Sequence, residues 1–299
     1  MQPLAIVIPY HRLAFFEATL QSLVNQTDQR FHVYIGDDAS PESPLPLLEK
    51  YRGKINYSYH RFDENLGRQS LVKQWERCLS LVGDAFWVMI LGDDDLLGDY
   101  CVGEFYKHQS EFQSLNVVRF ASYIIDSSGE KQSELFAHPK LEKSPHFLIR
   151  KFSGETRSSL GEYVFKKDTL HQKGFRDFPL AWHSDEMAVL ECSDFGKVYS
   201  INSAAVFIRE SELSVSGKQD NLAAKQLATY QFCSEMIVEH SKKFTIAGRK
   251  KILRRLEKHY FRQPKMALLF KLCFWYMSRT GLINFLKFVR RFLRNSTKQ

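Results

Sequence analysis

Across 299 residues the chain has no run of the roughly 18 apolar residues that a membrane-spanning helix needs, so no transmembrane segment is expected. The opening MQPLAIVIPYHR has no basic leader, and Pro9 closes its short apolar stretch, so no signal peptide is expected either. The cysteines, Cys78, Cys101, Cys192, Cys233 and Cys273, are scattered and odd in number. None forms a CxxC pair, which argues against a disulfide framework or a thiolate zinc site. Free thiols in a reducing cytoplasm are expected. There is no G-x-G-x-x-G after the first apolar run and no G-x-x-x-x-G-K-[ST], so the dinucleotide fingerprint and the P-loop are both missing. H-E-x-x-H and G-x-S-x-G are missing too, which leaves zinc-protease and α/β-hydrolase readings unsupported.

Acidic residues are scarce in one place only. From Arg249 to the end there are fifteen Lys/Arg and one acid, Glu257. That stretch carries +14, while the first 248 residues carry −6. The net charge of +8 is therefore a property of the tail. The bulk composition, 44% hydrophobic and 25% charged, is that of an ordinary globular chain with ample core.

What is present alternates. LAIVI (4–8), FHVYIG (31–36), INYSYHR (55–61), AFWVMIL (85–91) and NVVRFASYII (116–125) read as strands. Helical spacing appears between them, at 12–24, 44–52, 67–82 and 98–112. Continuously apolar strands alternating with helices predict a mainly parallel sheet with helices on both faces. The middle adds strands at EYVFKK, KVYSI and AAVFIR and a helix over 183–195. Beyond Ser216 the chain reads as helices, so an α/β domain over 1–215 and a basic helical extension over 216–299 are expected.

The charged groups fall where strands end. Strand one runs into Pro9-Tyr10-His11-Arg12. Strand two ends in Gly36-Asp37-Asp38-Ala39-Ser40, and strand four in Gly92-Asp93-Asp94-Asp95. Adjacent carboxylates repel, and each loses solvation when buried. Three in a row make either a solvated turn or a set of oxygen ligands for a hard cation. Ligands of open parallel sheets sit outside the carboxyl ends of the strands. Two acidic clusters at that one edge favour the second reading.

In order, the chain shows IVIPYHR, VYIGDDAS, ENLGR, ILGDDDLL, HSDE and FIRESELSVS. This order resembles the family 2 glycosyltransferases, over roughly residues 4–215. The resemblance implies a GT-A fold, a nucleotide-sugar donor and an inverting transfer of the sugar to a hydroxyl. It implies Mn²⁺ or Mg²⁺ on the donor diphosphate. Pro9, Tyr10 and Arg12 would frame the nucleotide. Asp38, beside Asp37, matches the acid that accepts a uracil ring N–H, so a UDP-sugar is favoured. Asn65, Gly67 and Arg68 match the family's NxG segment. Asp93, Asp94 and Asp95 match its DxD motif; Gly92 stands where one alignment has an acid, so which two hold metal and which meets ribose stays open. Asp185, with Glu186 as runner-up, matches the base that takes the acceptor's proton. Arg209, with Ser214 and Ser216, matches the loop that closes on the diphosphate, without that loop's usual histidine. Glu162, Trp182 and His183 fall on the acceptor side.

Each assignment has a plainer alternative: Asp38 and Ser40 as helix caps, Asp185 as helix-start decoration, His183 as an ordinary surface histidine. Two rival functions also stand. A nucleotidyltransferase would show a glycine-rich basic loop after strand one, and PYHRLAFF has no glycine. A membrane-bound scaffold on an inactive transferase fold would not need the acids.

In the tail, Leu282, Phe285, Leu286, Val289, Phe292 and Leu293 share one helical face, with Lys287, Arg290, Arg291 and Arg294 opposite. A basic amphipathic helix suits an anionic membrane surface, or packs its apolar face on the domain. No nucleic-acid motif accompanies the charge, so no nucleic-acid partner is expected. The membrane reading implies a cytoplasmic protein at the inner membrane face, and a saccharide or lipid-linked acceptor used in surface-polysaccharide synthesis.

Overall fold

The computed structural model describes residues 3–212, 214, 217 and 220–296. Ser216, named above, lies outside them.

β1 (Leu4–Tyr10) shows why the strands are continuously apolar. Its side chains alternate between two cores. Leu4, Ile6, Ile8 and Tyr10 face one, while Ala5 and Val7 face the other. Burying each large side chain contributes about 1.5–3 kcal/mol, and polar residues on either face would forfeit it. β1 pairs in parallel with β2 (Phe31–Asp37) and with β4 (Trp87–Ile90), and β2 pairs in parallel with β3 (Tyr57–Arg61). Between them run α1 (Phe16–Val24), α2 (Leu45–Lys50) and α3 (Leu71–Leu79).

Past β4 the topology changes. The acidic turn leads into a short β5 (Leu96–Leu97), then α4 (Cys101–Phe112), β6 (Val117–Ile125) and β7 (Leu141–Lys143). α5 (Ser144–Phe152), β8 (Tyr163–Lys166), α6 (Lys167–Lys173), α7 (Ser184–Cys192) and β9 (Lys197–Arg209) follow. The sheet order is β3-β2-β1-β4-β8-β6-β9-β5, with β7 also on β9. β8 inserts antiparallel between β4 and β6. The sheet is thus mixed, parallel in its first half, with helices on both faces, as expected. KVYSI and AAVFIR, two strands in the sequence, form the single β9, whose register against β6 shifts once between Phe120 and Ala121.

The remaining helices are α8 (Leu222–Val238), α9 (Ile246–Arg262), α10 (Met266–Thr280) and α11 (Leu282–Ser296). They build a third core, including Phe232, Leu253, Leu272 and Phe288, which also takes Leu148 from α5 and Met187 and Leu190 from α7. The helical extension is seated on α5 and α7 by apolar packing. No helix among the described residues is long and apolar enough to cross a membrane.

Candidate active site

A cleft of about 810 Å³ lies along the carboxyl ends of β1 and β4. Its floor includes Pro9, His11, Arg12, Gly92, Asp93 and Asp95. One wall is the loop before α3, with Asp38, Asn65, Gly67 and Arg68; the other runs from Ser159 to Gly161 and from Asp177 to Ala181.

The acidic turn is held from three sides. The amides of His11 and Arg12 donate to Asp93 Oδ2 at 2.8 and 2.9 Å. Thr19 on α1 donates its hydroxyl to the carbonyls of Asp93 and Asp95 at 3.2 and 2.9 Å. From the end of β9, the Arg209 amide donates to Asp95 Oδ1 at 2.9 Å. Burial raises all three carboxyls above the ordinary aspartate range. Asp95 rises to about 6. Asp94 rises well above, by burial first and then by the charges of Asp95 and Asp93. At Asp93 burial outweighs the two amides. The turn is therefore partly withdrawn from water, with Asp95 buried and Asp93 and Asp94 half-buried.

Gly92 explains its own position. A Cβ there would come within 2.8 Å of Asp94 Oδ1 and 3.0 Å of Asp95 Oδ2. A Cβ on Gly161 would stand 3.1 Å from Asp95 Oδ2. Two carboxylate oxygens thus converge over a space that glycines keep open. Hard oxygen donors in such a cradle fit Mn²⁺ or Mg²⁺. Asp93 Oδ2 instead accepts the two amides, and the three aspartates are not a group whose ligand atoms lie mutually within 4.8 Å. Among the described residues the one group with three ligand atoms mutually within 4.8 Å is elsewhere: Glu191, Glu235 and His240. Arg176 already bonds Glu191 and Glu235 there, at 2.9 and 3.2 Å.

Asp38 shapes the opposite wall. Its carboxylate accepts the amides of Leu66 (2.8 Å) and Gly67 (3.0 Å) and pairs with Arg77. A Cβ on Gly67 would reach 2.5 Å from Asp38 Oδ2, so the loop closes on the carboxylate only with glycine there. Asn65 Oδ1 accepts the Arg68 amide at 2.8 Å, which fixes the turn that brings Arg68 to the cleft.

Other predicted residues lie off the cleft wall, for stated reasons. Tyr10 is buried against Phe16 and donates to the Glu42 carbonyl at 2.9 Å, because β1 points it into the core. Asp37 is fully buried. It takes bonds from Tyr59 (2.6 Å), Arg61 (2.8 Å) and the Ser40 amide (2.8 Å), so it ties β2 to β3. Glu162 is buried on Ser122 and Arg157. His183 is a core histidine, neither acceptor-facing nor on the surface. Its ring stacks on Phe232 at 4.7 Å and bonds Glu186 and Thr229 at 3.1 and 3.0 Å. Trp182 packs against the helical core under Lys225. Glu186 is buried and paired with Lys151. Arg209 is buried beneath the acidic turn rather than exposed on a mobile loop, donating to the Asp94 carbonyl at 2.9 Å and the Asp126 carbonyl at 2.5 Å. Ser214 bonds within its own loop.

Asp185 stands half-buried in the first turn of α7. Burial raises its carboxyl, while the charges of Lys151 and then Arg157 pull it back. The Arg157 charge lowers Asp95 as well, so one guanidinium acts on both acids. The segment leading to α7 is strained: Leu180, Ala181 and His183 all have left-handed backbone, at φ 61, 53 and 75°. Leu180 and Ala181 line the cleft. Such strain persists only where packing over-determines it, and it clusters at functional sites.

Two cleft groups had no role in the sequence reading. His11 was visible at the end of strand one; its Nδ1 is buried with no partner among the described residues. Asp177, steadied by the Ser70 hydroxyl at 2.8 Å, had no local signal at all. It reaches the cleft through a contact 107 residues distant in sequence.

The family model of glycosyl transferase family 2 matches residues 5–167, more than half of the chain. The chain belongs to that family. It is thus a glycosyltransferase by descent, with the sheet and cleft that descent predicts. No functionally curated protein matches the sequence. Among solved structures it is similar to S. aureus TarS 1-349 in complex with UDP-GlcNAc, at 15% identity and a TM-score of 0.67, covering 93% of this chain and 82% of that one. TarS 1-349 in complex with UDP gives 14% identity and 0.55, covering 92% and 84%. A longer S. aureus TarS structure gives 16% and 0.63, but there the match spans 89% of this chain and only 44% of TarS. At such identities the likeness is one of fold.

Proposed function

We propose that this transferase moves a sugar from a UDP-sugar to a hydroxyl of a saccharide or lipid-linked saccharide, with inversion. The observation that carries the reading is the pair of carboxylate oxygens over Gly92, from half-buried Asp94 and buried Asp95. Of these, Asp95 lines a cleft framed by Asp38, Gly67 and the basic Arg12 and Arg68, while Asp94 opens on a small neighbouring pocket with Arg12. The UDP-GlcNAc and UDP complexes of the similar TarS fold support the donor class. Asp38 and the glycine beside it would seat the base. Arg12 and Arg68 would meet the diphosphate by charge-assisted hydrogen bonds. Asp94 and Asp95 would hold Mn²⁺ or Mg²⁺, which supplies neutralisation of the charge on the leaving diphosphate.

The acceptor hydroxyl needs a base on the face opposite the leaving group. Asp185 takes that role: it stands in the first turn of α7, where burial raises its carboxyl and the Lys151 charge opposes that rise. A second reading rests on one observation, that Asp177 lines the cleft and Asp185 does not. Release of UDP from a panel of UDP-sugars with saccharide acceptors separates them. Asp185→Asn abolishing turnover with UDP binding intact supports Asp185. The same result for Asp177→Asn, with Asp185→Asn active, transfers the role. Turnover with GDP-sugars and none with UDP-sugars sinks the UDP reading.

A further inference from the structure

The outer face of α10 and α11 is apolar where it should be wet. On α10, Met266, Phe270, Phe274 and Met277 follow one helical line and are 61, 68, 63 and 42% exposed. On α11, Leu282, Ile283, Leu286 and Leu293 are 58, 70, 56 and 58% exposed. The inward faces are already filled, by Leu272 and Tyr276 on α10 and Phe288 on α11, so the outer residues are surplus to the core. Lone exposed apolar residues need no account, but two adjoining stripes do.

Charge narrows what covers them. Lys271, Lys287, Arg290 and Arg294 stand exposed among these side chains. The single acid from residue 249 onward, Glu257, is buried and bonded to Arg291 and Tyr276. Among the described residues the outer face of α10 and α11 therefore presents cations and no carboxylate. A second copy of this face would bring like charge against like charge. An anionic lipid surface answers both features: it buries the apolar side chains to the depth of the acyl boundary and neutralises the cations.

We infer that α10 and α11 form a docking surface for a bilayer containing anionic lipid, which the chain lies on and does not cross. The test is co-sedimentation of the full chain with vesicles of phosphatidylcholine alone or mixed with phosphatidylglycerol. The double variants Phe270→Ser/Phe274→Ser and Lys287→Glu/Arg290→Glu alter exposed positions that do not line the cleft and are expected to keep the wild-type circular dichroism. The wild type should pellet with the mixed vesicles and stay in solution with the neutral ones. Each double variant should partition at least about tenfold less, and salt should weaken the wild type. Three results would overturn the proposal: no partitioning, equal partitioning to both vesicles, or a concentration-dependent dimer in light scattering that Phe270→Ser/Phe274→Ser abolishes. The assay contains no nucleotide, so its failure leaves the UDP reading standing, and the reverse also holds.

Discussion

The cleft and the tail each gather charge of one sign and treat it oppositely. At the cleft, one of three adjacent aspartates, Asp95, is buried and the other two are half-buried, and backbone amides and one hydroxyl do most of the holding. In the tail, Lys271, Lys287, Arg290 and Arg294 stay in water and the lone acid is withdrawn onto Arg291. Apolar side chains differ as well: on the outer faces of α10 and α11 they stand exposed beside the cations. Buried charge of one sign costs stability, so its survival in a concave site points to a small cation. Exposed charge costs little, but exposed Phe and Leu beside it cost solvation. That pairing points to a broad anionic, partly apolar partner.

The largest test of this contrast is on the tail itself. Phe288→Ala removes a ring stacked on Tyr276 at 4.7 Å and should cost about 3–5 kcal/mol in urea unfolding. If it costs no more than an exposed substitution, the inward and outward faces have been mistaken. Next is Asp94→Asn. Turnover should fall about a hundredfold to a thousandfold, while the melting temperature holds or rises, because a buried like charge has gone. A clear loss of stability would make the turn a scaffold instead.

A smaller effect joins the two regions. Burial holds His183 neutral, its pKa well below the ordinary 6.5. Below that value the unfolded chain takes up a proton that the folded chain refuses. Its contribution is therefore fully present above about pH 6.5 and is lost as pH falls. Melts from neutral pH to about pH 5.5 should show a steeper decline in the wild type than in His183→Asn; equal slopes would place the ring in water. Smallest is Phe270→Ala, within about 0.5 kcal/mol of wild type, by the same urea measurement.

How much of this was legible beforehand followed from how local the cause was. β1 and β4 were plain because a strand buried on both faces has to be apolar throughout. The insertion of β8 between β4 and β6 was not, because pairing partners leave no mark within the strand. Asp38 and Gly67 were recognisable as loop residues, and their mutual contact required the fold. Asp37 was misplaced because its neighbours Tyr59 and Arg61 come from another strand. His183 was misplaced because α8, far along the chain, supplies Phe232 and Thr229. Asp177 was silent for the same reason. In the tail, helical spacing put Leu286 and Phe292 on one face; the structure turns Phe285, Val289 and Phe292 inward and leaves Leu282, Leu286 and Leu293 outside. Arg291 goes with the inward set, to Glu257 at 2.5 Å. A stripe wider than one neighbour covers cannot be divided from its spacing alone.

The central claim is that the acidic turn is a metal platform for a uridine diphosphate. Isothermal titration of UDP and GDP into the wild type and Asp94→Ala, each with and without Mn²⁺, tests it most directly. The account predicts UDP binding that needs both the metal and Asp94, with GDP much weaker. UDP binding that is indifferent to Mn²⁺ and to Asp94, or no binding of either nucleotide, would contradict it.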